Sequence, residues 1–405
     1  NITLCSNDKN FCIPKNIDMF IVESCWNGNN GDFKTVISWN KPILKELVDK
    51  CKKLNIPTVF INKEDYINYD TFIHAAKLFD YVFTSDINCI NKYKKDCPNA
   101  KGIYNFHFFI NINFITQNSK FYKFSKNVLF AGSWTFRKHG SRNEDMIDLF
   151  DECLKNDLQL DIIDRNSKTN TMNVYPNKYS ENLYHSVNYT ELIHNINHRY
   201  EYIINLNSVN NSHSMFARRK IELLAQKIIV ISNYSPSIEK YFKNIVFQKD
   251  DIKKMSDLTL IQKEIIKHNG YLQVYKCFTD KYFYNNFLHN LNIDKFKDYN
   301  IAPYEPKVSV ICSSNRVNNL NIIVDNFNKQ LYKNKELLIC INLDAKDINL
   351  SDIEKYKLNN NTKIIILDGK YTLGNCLNKL IEQSNGEIIQ KMDDDDYYSD
   401  NFIKN

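Results

Sequence analysis

Four consecutive carboxylates, Asp393 to Asp396, are the residues of this 405-residue chain whose types and spacing most clearly suggest chemistry. They follow Glu387–Met392, which predicts a short strand, and Gly386 is the turn residue before it. Such carboxylates repel one another unless a cation neutralises them, and their oxygen atoms suit Mg²⁺ or Mn²⁺. Because ligands bind outside the carboxyl ends of the strands in open α/β sheets, this position favours a metal–diphosphate site. The alternative is a solvated acidic turn.

The composition is that of a folded protein with room for two or three domains. Hydrophobic residues make up 43% of the chain, and 53 basic against 47 acidic residues give a net charge of +6. The two signs are interspersed, which permits anionic ligands or an anionic membrane surface, and no basic groove typical of nucleic-acid binding is evident. Eleven cysteines without a Cys-x-x-Cys pair favour buried, reduced thiols over disulfides or zinc.

No run of 18 apolar residues predicts a membrane span. We therefore expect a cytoplasmic protein, with peripheral association at the inner face of the plasma membrane as the alternative. The chain begins at Asn1 rather than Met and ends at Asn405, nine residues after the acidic run. We expect a fragment that is truncated at both ends.

Strands and helices alternate through the first part of the chain. Predicted strands lie at Ile17–Glu23, Pro57–Ile61 and Tyr81–Thr84, with helical patterns between them. This alternation predicts a parallel sheet covered by helices. Glu64 and Asp65 belong to a polar cluster that follows the second of these strands.

A second α/β unit starts near residue 123. Its predicted strands are Val128–Gly132, Leu160–Asp164, Tyr202–Leu206 and Ile228–Ile231. Gly132 and Ser133 form a small-residue turn after the first of these strands, and several bases follow, at Arg137, Lys138, His139 and Arg142. This turn is a candidate phosphate site, and an ordinary strand–helix turn is the alternative.

A predicted helix at Ser214–Ala225, with Ser214 as its N-cap, follows the strand that ends at Asn207. Its electropositive N-terminus suits a diphosphate. Arg218 and Arg219 lie there, and Glu222 is one turn beyond Arg218, so a simple Arg218–Glu222 salt bridge is the alternative.

The remainder contains an aromatic helical region, a linker and a third module. Residues 258–292 are helical and rich in Phe and Tyr, which favours core packing over a stacking or membrane role. Residues 296–306 contain two prolines and predict a linker. Residues 307–405 read β-α-β-β-α-β, a Rossmann-like half, with the acidic run at its last strand.

Four ordered segments of the third module resemble the nucleotide-binding half of a family 2 glycosyltransferase of the GT-A fold. They are Val308–Arg316, Asn334–Asn342, Leu373–Asn378 and Gly386–Asp396. The resemblance makes Asp393–Asp395 an Asp-x-Asp motif. It implies that Asp395 is the main ligand of a divalent metal, Mn²⁺ or Mg²⁺, and that Asp393 helps to hold the metal and the donor sugar or ribose.

The same resemblance implies further contacts with the donor nucleotide. Ser314 and Asn315 would bind the donor, and either Asn342 or Asp344 would contact the base. The acidic pair that the family usually has after the second strand is not reproduced here. The catalytic base of the family lies downstream of the motif, beyond the end of this chain.

Residues 17–290 resemble the spore-maturation-protein-like (CgeB-like) glycosyltransferases of the GT-B fold. The matching segments are Ile21–Gly28, Pro57–Asp65, Phe79–Asp86, Phe130–Ser133, Asp161–Asn166, Asn205–Val209 and Ser214–Ser232. In related retaining enzymes a Glu of the last segment binds the donor ribose, which implies this role for Glu222. Ser214 replaces an earlier Glu of that pattern, and Gln226–Lys227 replaces the usual small turn.

This second resemblance implies a donor site that needs no metal. Its candidate residues are Gly132, Ser133, Asn207, Ser214, Arg218, Arg219 and Glu222. Glu64 and Asp65 are candidate acid/base groups on the acceptor side, with a solvated loop as the alternative.

We therefore expect an α/β chain with two Rossmann-like GT-B domains followed by a partial GT-A domain. The expected divisions are 1–122 for the acceptor-side domain, 123–295 for the donor domain with a return helix, 296–306 for the linker and 307–405 for the GT-A half. The expected activity is transfer of a sugar, most simply from a UDP-sugar, to a growing cell-surface glycan, a lipid-linked glycan or another envelope acceptor.

Two other interpretations stay open. In the first, the GT-B half is a non-catalytic module that binds a glycan or a partner and is attached to a metal-dependent GT-A transferase. In the second, the acidic run belongs to a metal-dependent phosphoryl-transfer enzyme or nuclease. The chain contains no Walker-type Gly-Lys-Ser/Thr motif, which disfavours the latter.

Overall fold

The computed structural model describes residues 13–404, except 15, 29–30, 32, 40, 116–124, 136–140, 170–173, 294–305, 345, 347–348, 350, 352 and 354–360. The chain divides into two compact units, Asn1–Ile301 and Ala302–Asn405. Most of the predicted linker at 296–306 lies outside the described residues, and the three finer domain boundaries stay predictions.

The first unit begins with a four-stranded parallel sheet in the order β1-β2-β3-β4. Its strands are β1 (Phe20–Glu23), β2 (Thr58–Asn62), β3 (Tyr81–Thr84) and β4 (Gly102–Asn105). Four helices accompany it, α1 (Pro42–Lys53), α2 (Tyr69–Ala76), α3 (Ile90–Asp96) and α4 (Ile112–Ile115). Helix α1 forms because Pro42 pre-sets its first turn and because Leu44, Leu47, Val48 and Cys51 share one buried face.

The second sheet of this unit has five parallel strands in the order β7-β6-β5-β8-β9. They are β5 (Ser125–Gly132), β6 (Leu160–Asp164), β7 (Leu183–Tyr184), β8 (Tyr200–Asn205) and β9 (Ile229–Ser232). The helices of this part of the chain are α5 (Arg142–Lys155), α6 (Tyr189–Glu191), α7 (Arg218–Ala225), α8 (Pro236–Tyr241), α9 (Leu260–Cys277) and α10 (Asp280–Leu291), the last of which packs against the first sheet. The strand order reverses between β5 and β8, which is where open sheets bind ligands.

The second unit contains one parallel sheet in the order β12-β11-β10-β13. Its elements are β10 (Val308–Ser314), α11 (Leu320–Lys329), β11 (Lys335–Asn342), β12 (Thr362–Leu367), α12 (Leu373–Glu382) and β13 (Ile388–Lys391). The strand order reverses between β10 and β13. The acidic run after β13 therefore lies at the ligand-binding edge that this topology predicts.

The predicted class, parallel α/β sheets with Rossmann-like topology, is confirmed. Core packing is confirmed for Phe283 and Phe287 of the aromatic region, which pack against Phe83 and Phe106 beside the first sheet. Tyr275 and Tyr282 of the same region are exposed. No helix among the described residues is long and apolar enough to cross a bilayer.

The predicted N-cap of α7 is wrong. The helix begins at Arg218, with Ala217 as the residue before it, and not at Ser214. The Ser214 hydroxyl instead accepts from the amide of Ile87 at 2.8 Å and donates to the carbonyl of Ser85 at 3.0 Å. It therefore joins the loop before α7 to the end of β3 on the first sheet.

Lys220 of α7 is a buried cation without a hydrogen-bond partner among the described residues. Its side chain is fully buried, and its Nζ lies 5.2 Å and 5.7 Å from the ring centres of Phe242 and Phe216. Burial lowers the pKa of Lys220 to about 7. Cation–π contact offsets only part of the lost hydration.

Replacement of this lysine by methionine should stabilise the protein. In Lys220→Met we expect the free energy of unfolding at pH 7 to rise by roughly 1–3 kcal/mol, because an unpaired buried polar group is removed. Wild-type stability should increase between about pH 7 and 10, where the unfolded lysine holds a proton that the folded one has released. The variant should lack this increase.

Urea unfolding followed by circular dichroism between pH 6 and 10 measures both effects. The control is Lys276→Met, on an exposed position of α9. A lower midpoint for Lys220→Met than for wild type throughout this range would show that the lysine contributes stability.

Candidate functional site

An arginine-lined cavity lies at the carboxyl ends of β5 and β6. Its volume is about 510 Å³, and the described residues that line it include three arginines and no carboxylate. The polar part of the lining comes from Gly132, Ser133, Arg142, Arg165, Ser186, Tyr189 and Arg219. The predicted turn at Gly132 and Ser133 therefore lines an open cavity.

Backbone carbonyls, not acids, hold two of these arginines. Arg142 Nη1 donates to the carbonyl of Ser133 at 3.1 Å, and Arg219 Nη1 donates to that of Ala131 at 2.8 Å. The buried Nε of Arg219 has no hydrogen-bond partner among the described residues. Burial lowers the pKa of Arg219 to about 10 and also lowers that of Arg142. An anion in the cavity would relieve this unfavourable concentration of positive charge.

Glu222 contacts one residue that lines the arginine cavity and one residue that lines a second space, which we call the cleft. Its side chain is buried, and Oε1 accepts from the hydroxyl of Tyr189 at 2.7 Å and lies 3.2 Å from Nε of Arg218. The predicted Arg218–Glu222 salt bridge is therefore present. Tyr189 lines the arginine cavity, whereas Arg218 lines the cleft.

The cleft comprises two cavities of about 230 Å³ and 470 Å³ that share Lys63, Phe108 and Arg218 in their linings. Glu64 lines the smaller cavity. The larger cavity is lined by charged side chains from the parts of the unit that contain the first and the second sheet. It also has an aromatic wall, formed by Phe106, Phe108, Phe109, Phe283 and Tyr284. Aromatic faces beside hydrogen-bonding groups suit a ligand that is partly apolar and partly polar.

Asp65 belongs to the lining of the smaller cavity together with Glu64, and its acid/base role stays a prediction. Its carboxylate is fully buried and accepts from Asn62 Nδ2 at 2.9 Å, from Thr84 Oγ1 at 2.6 Å and from the Tyr93 hydroxyl at 3.0 Å. Burial raises its pKa to about 7. Asp65 thus fixes the end of β2 against β3, whereas Glu64 is half-buried.

Asn207 and Ser214 position the site rather than face it. Asn207 is buried, its amide Nδ2 donates to Ser232 Oγ at 3.1 Å, and its Oδ1 accepts from the backbone N–H of Ala217 at 3.1 Å. It thereby ties β8 and β9 to the start of α7. Ser214 is buried against the first sheet. Neither side chain is available to a donor in this arrangement.

In the second unit, Arg316 and the acidic run meet where the strand order reverses. Asp394 is buried and is held by Arg316 Nε at 2.9 Å and by the hydroxyl of Ser314. Although burial alone would raise it, these hydrogen bonds hold the pKa of Asp394 below its usual value. Asp395 accepts from Arg316 Nη2 at 2.9 Å, and Asp393 pairs with Lys391.

The carboxylates fit a divalent cation by their chemistry. Among the described residues no group of three or more acidic, His or Cys side chains is arranged to hold a metal. Asp393 and Asp395 are, however, each about half exposed, and the guanidinium of Arg316 already occupies a cation position beside Asp395. Two carboxylates that rely on substrate phosphates to complete the coordination are what Mg²⁺ commonly uses.

The other predicted donor contacts lie along the same edge of this sheet. Asn315 is exposed after β10. Asn342 ends β11 and donates through Nδ2 to the carbonyl of Tyr371 at 2.9 Å, while Asp344 Oδ1 accepts from the amide of Gly369 at 3.4 Å. Ser314 differs from this set because its hydroxyl is committed to Asp394.

Sequence analysis missed four residues that shape these sites: Arg165, Tyr189, Arg316 and Asp394. The position of Arg165 directly after β6 was a usable signal, because it shares the sheet edge of Gly132. Tyr189 comes from a connection without a distinctive pattern. Asp394 lies inside the recognised acidic run, but nothing in the run distinguishes a buried carboxylate from an exposed one.

Comparison with known proteins supplies the class. Residues 309–405 match the family described as Glycosyl transferase family 2. No curated protein sequence matches the chain. The match identifies glycosyltransferase sequence in the C-terminal unit and covers that unit only.

Solved structures of glycosyltransferases resemble the chain at low identity. A glycosyltransferase from Rickettsia africae is 15% identical, with 63% of this chain and 80% of that one covered and a TM-score of 0.41. Anabaena Alr3699/HepE, in complex with UDP and glucose, is 12% identical over 64% and 83%, with a TM-score of 0.42. The Pyrobaculum calidifontis mannosyltransferase PcManGT, in complex with GDP-Man and Mn²⁺, is 19% identical over 31% and 38%, with a TM-score of 0.23.

The buried Asp65 network makes stability depend on pH in a direction unusual for an aspartate. Because folding raises its pKa from about 4 to about 7, the folded state holds a proton that the unfolded state has lost. Stability should fall as pH rises from about 4 to about 7. Asp65→Asn should remove this decline, since the amide stays neutral throughout.

Chemical unfolding between pH 4 and 8 measures the decline. Glu64→Gln is the matched control, because it removes the adjacent, half-buried carboxylate and should leave the pH dependence intact. If Asp65→Asn retained the wild-type decline, the titrating group would lie elsewhere.

Proposed function

We propose that the chain contains two nucleotide-sugar sites, one in each unit, and that each serves transfer of a sugar to a glycan acceptor. The observation on which the first depends is the cavity with three arginines and no carboxylate among its described lining residues. The second depends on the acidic cluster at the strand reversal within the segment that matches family 2.

In the first unit, the donor diphosphate would occupy the arginine-lined cavity. Sugar transfer requires stabilisation of the charge that develops on the leaving diphosphate. Arg142, Arg165 and Arg219 supply fixed positive charge there. The proposal for the first unit, like the prediction from its sequence, includes no metal.

Glu222 and the cleft define the acceptor side of the proposed reaction. Glu222 holds Tyr189 beside the donor and Arg218 beside the acceptor, so it orients groups on both sides of the transferred sugar. A glycan would stack on the aromatic wall of the larger cavity, and Glu64 is the candidate acid/base group.

In the second unit, Asp393 and Asp395 would hold Mn²⁺ or Mg²⁺ with the donor phosphates. The metal, when bound, neutralises the charge of the leaving diphosphate. Asn315, Asn342 and Asp344 lie along the same edge and would contact the nucleotide. An envelope glycan as product, UDP as donor nucleotide and a cytoplasmic location at the inner membrane face belong to the same proposal.

A pair of adjacent arginines tests the first site. Arg219→Met should weaken binding of UDP in the absence of metal by roughly ten- to a hundredfold, since a charge-assisted hydrogen bond to phosphate contributes about 1.5–3 kcal/mol. Arg218→Met is the matched control, because its side chain lines the cleft; it should keep UDP binding and slow transfer. Isothermal titration without divalent metal gives the affinities.

Equal UDP affinity in wild type and Arg219→Met would remove the donor site from this cavity. If neither protein bound UDP but the first unit still retained glycan on an affinity column, the alternative of a non-catalytic glycan-binding module would be supported.

The second site is tested by the metal dependence of nucleotide binding. Mn²⁺ with UDP should raise the melting temperature of the second unit, because a ligand at about a hundredfold its dissociation constant adds about 2.7 kcal/mol of stability. Asp395→Asn should abolish this Mn²⁺-dependent shift and spare any shift that UDP alone produces in the first unit. Asp400→Asn, an exposed carboxylate four residues after the run, is the control.

A Mn²⁺-dependent shift that survives in Asp395→Asn would assign the metal to other ligands. Absence of the shift in wild type would favour the solvated acidic turn.

A further inference from the structure

Arg316 bridges a buried and an exposed carboxylate of the acidic run. Its Nε donates to Asp394 Oδ2 at 2.9 Å, and its Nη2 contacts both Asp394 Oδ1 and Asp395 Oδ2, the latter at 2.9 Å. The Asp394 side chain is 9% exposed and that of Asp395 is 57% exposed. The guanidinium of Arg316 is thus held by the buried Asp394 and at the same time neutralises Asp395, which is accessible to a ligand.

We propose that Arg316 is a built-in counter-ion that holds Asp395 until a divalent cation and a nucleoside diphosphate bind together. The inference rests on the proposed metal site of the second unit and concerns how that site is loaded. While Arg316 Nη2 donates to Asp395 Oδ2, this oxygen is not free for a metal. Coordination of a metal by Oδ2 therefore requires the guanidinium to release this oxygen while Asp394 keeps hold of its other edge.

The electrostatics explain why metal alone should bind weakly. A dication at Asp395 would lie next to the guanidinium, and the two like charges would repel at short range. A diphosphate removes this conflict. Its oxygens accept hydrogen bonds from the N–H groups of Arg316 that no longer donate to Asp395, and they also coordinate the metal. Metal and diphosphate then bind with positive coupling, which by linkage is the same in either order of addition.

Asp394 is what makes this arrangement specific. Ser314 and Asn319 also direct hydrogen bonds to its Oδ2, so the buried carboxylate is fixed by three side chains. Lys391 also pairs with Asp393, but this lysine is exposed and its described contacts include no buried carboxylate. The Arg316 pair therefore differs from the Lys391 pair in having one partner fixed inside the unit.

The test is titration of Mn²⁺, monitored by electron paramagnetic resonance of free Mn²⁺, with and without saturating UDP. In wild type, UDP should tighten Mn²⁺ binding about tenfold or more, within the usual range of coupling. The double variant Arg316→Met/Asp394→Asn removes the cation together with its buried partner. It should bind Mn²⁺ alone about five- to tenfold more tightly than wild type, and the effect of UDP should shrink correspondingly. The control is Lys379→Met, an exposed lysine that pairs with Glu382 on α12; it should retain the wild-type coupling.

Unchanged Mn²⁺ affinity and unchanged coupling in the double variant would overturn the proposal. If that variant does not fold, Arg316→Lys tests the bridging alone, because an ammonium keeps the charge but cannot hold both carboxylates as the planar guanidinium does. The effect of UDP on Mn²⁺ binding should then shrink, and an unchanged effect would overturn the proposal. Absence of Mn²⁺ binding to wild type with UDP present would overturn the metal site and, with it, this inference. Mn²⁺ binding that is lost in Asp395→Asn but uncoupled to UDP would overturn the inference and leave the metal site standing.

Discussion

Three arginines around one cavity, with no carboxylate among its described lining residues, impose the main physical constraint on the first unit. Like charges in a partly buried space repel, and burial already lowers the pKa of Arg142 and Arg219. Backbone carbonyls provide hydrogen bonds but no net negative charge. The fold must therefore hold these side chains in place by packing and by its strand ends, and in the proposed function an anionic ligand completes the balance of charge.

The second unit concentrates negative rather than positive charge, and it neutralises this charge with its own side chains. Consecutive carboxylates lie at the end of β13, and the chain supplies its own cations, Arg316 and Lys391, to neutralise them. In both units the charged groups gather at the edge where the carboxyl ends of parallel strands meet and where the strand order reverses. Parallel topology alone brings together residues that are distant in sequence, such as Ser314 and Asp394.

The sequence was sufficient for the class of fold and for the edges at which the sites lie. Strand β6 lies where its apolar run predicts, and the acidic run follows β13 as expected. Side-chain direction was beyond the sequence, because adjacent residues differ in it. Glu64 and Asp65 are neighbours with the same chemistry and both line the smaller cavity, yet Glu64 is half-buried whereas the carboxylate of Asp65 is buried among Asn62, Thr84 and Tyr93. Ser214 does not cap α7, because its hydroxyl forms hydrogen bonds with Ser85 and Ile87 at the end of β3 on the first sheet.

The first turn of α7 directs two neighbouring arginines into two different spaces, Arg219 into the arginine cavity and Arg218 into the cleft. Successive residues of a helix are rotated by about 100°. A single-residue insertion inside this turn would therefore turn both side chains away from their spaces at once. An insertion in the preceding loop would leave the helix phase intact as long as Asn207 still held the amide of Ala217. The tolerance of this region to changes in length is thus set by helix phase rather than by loop length.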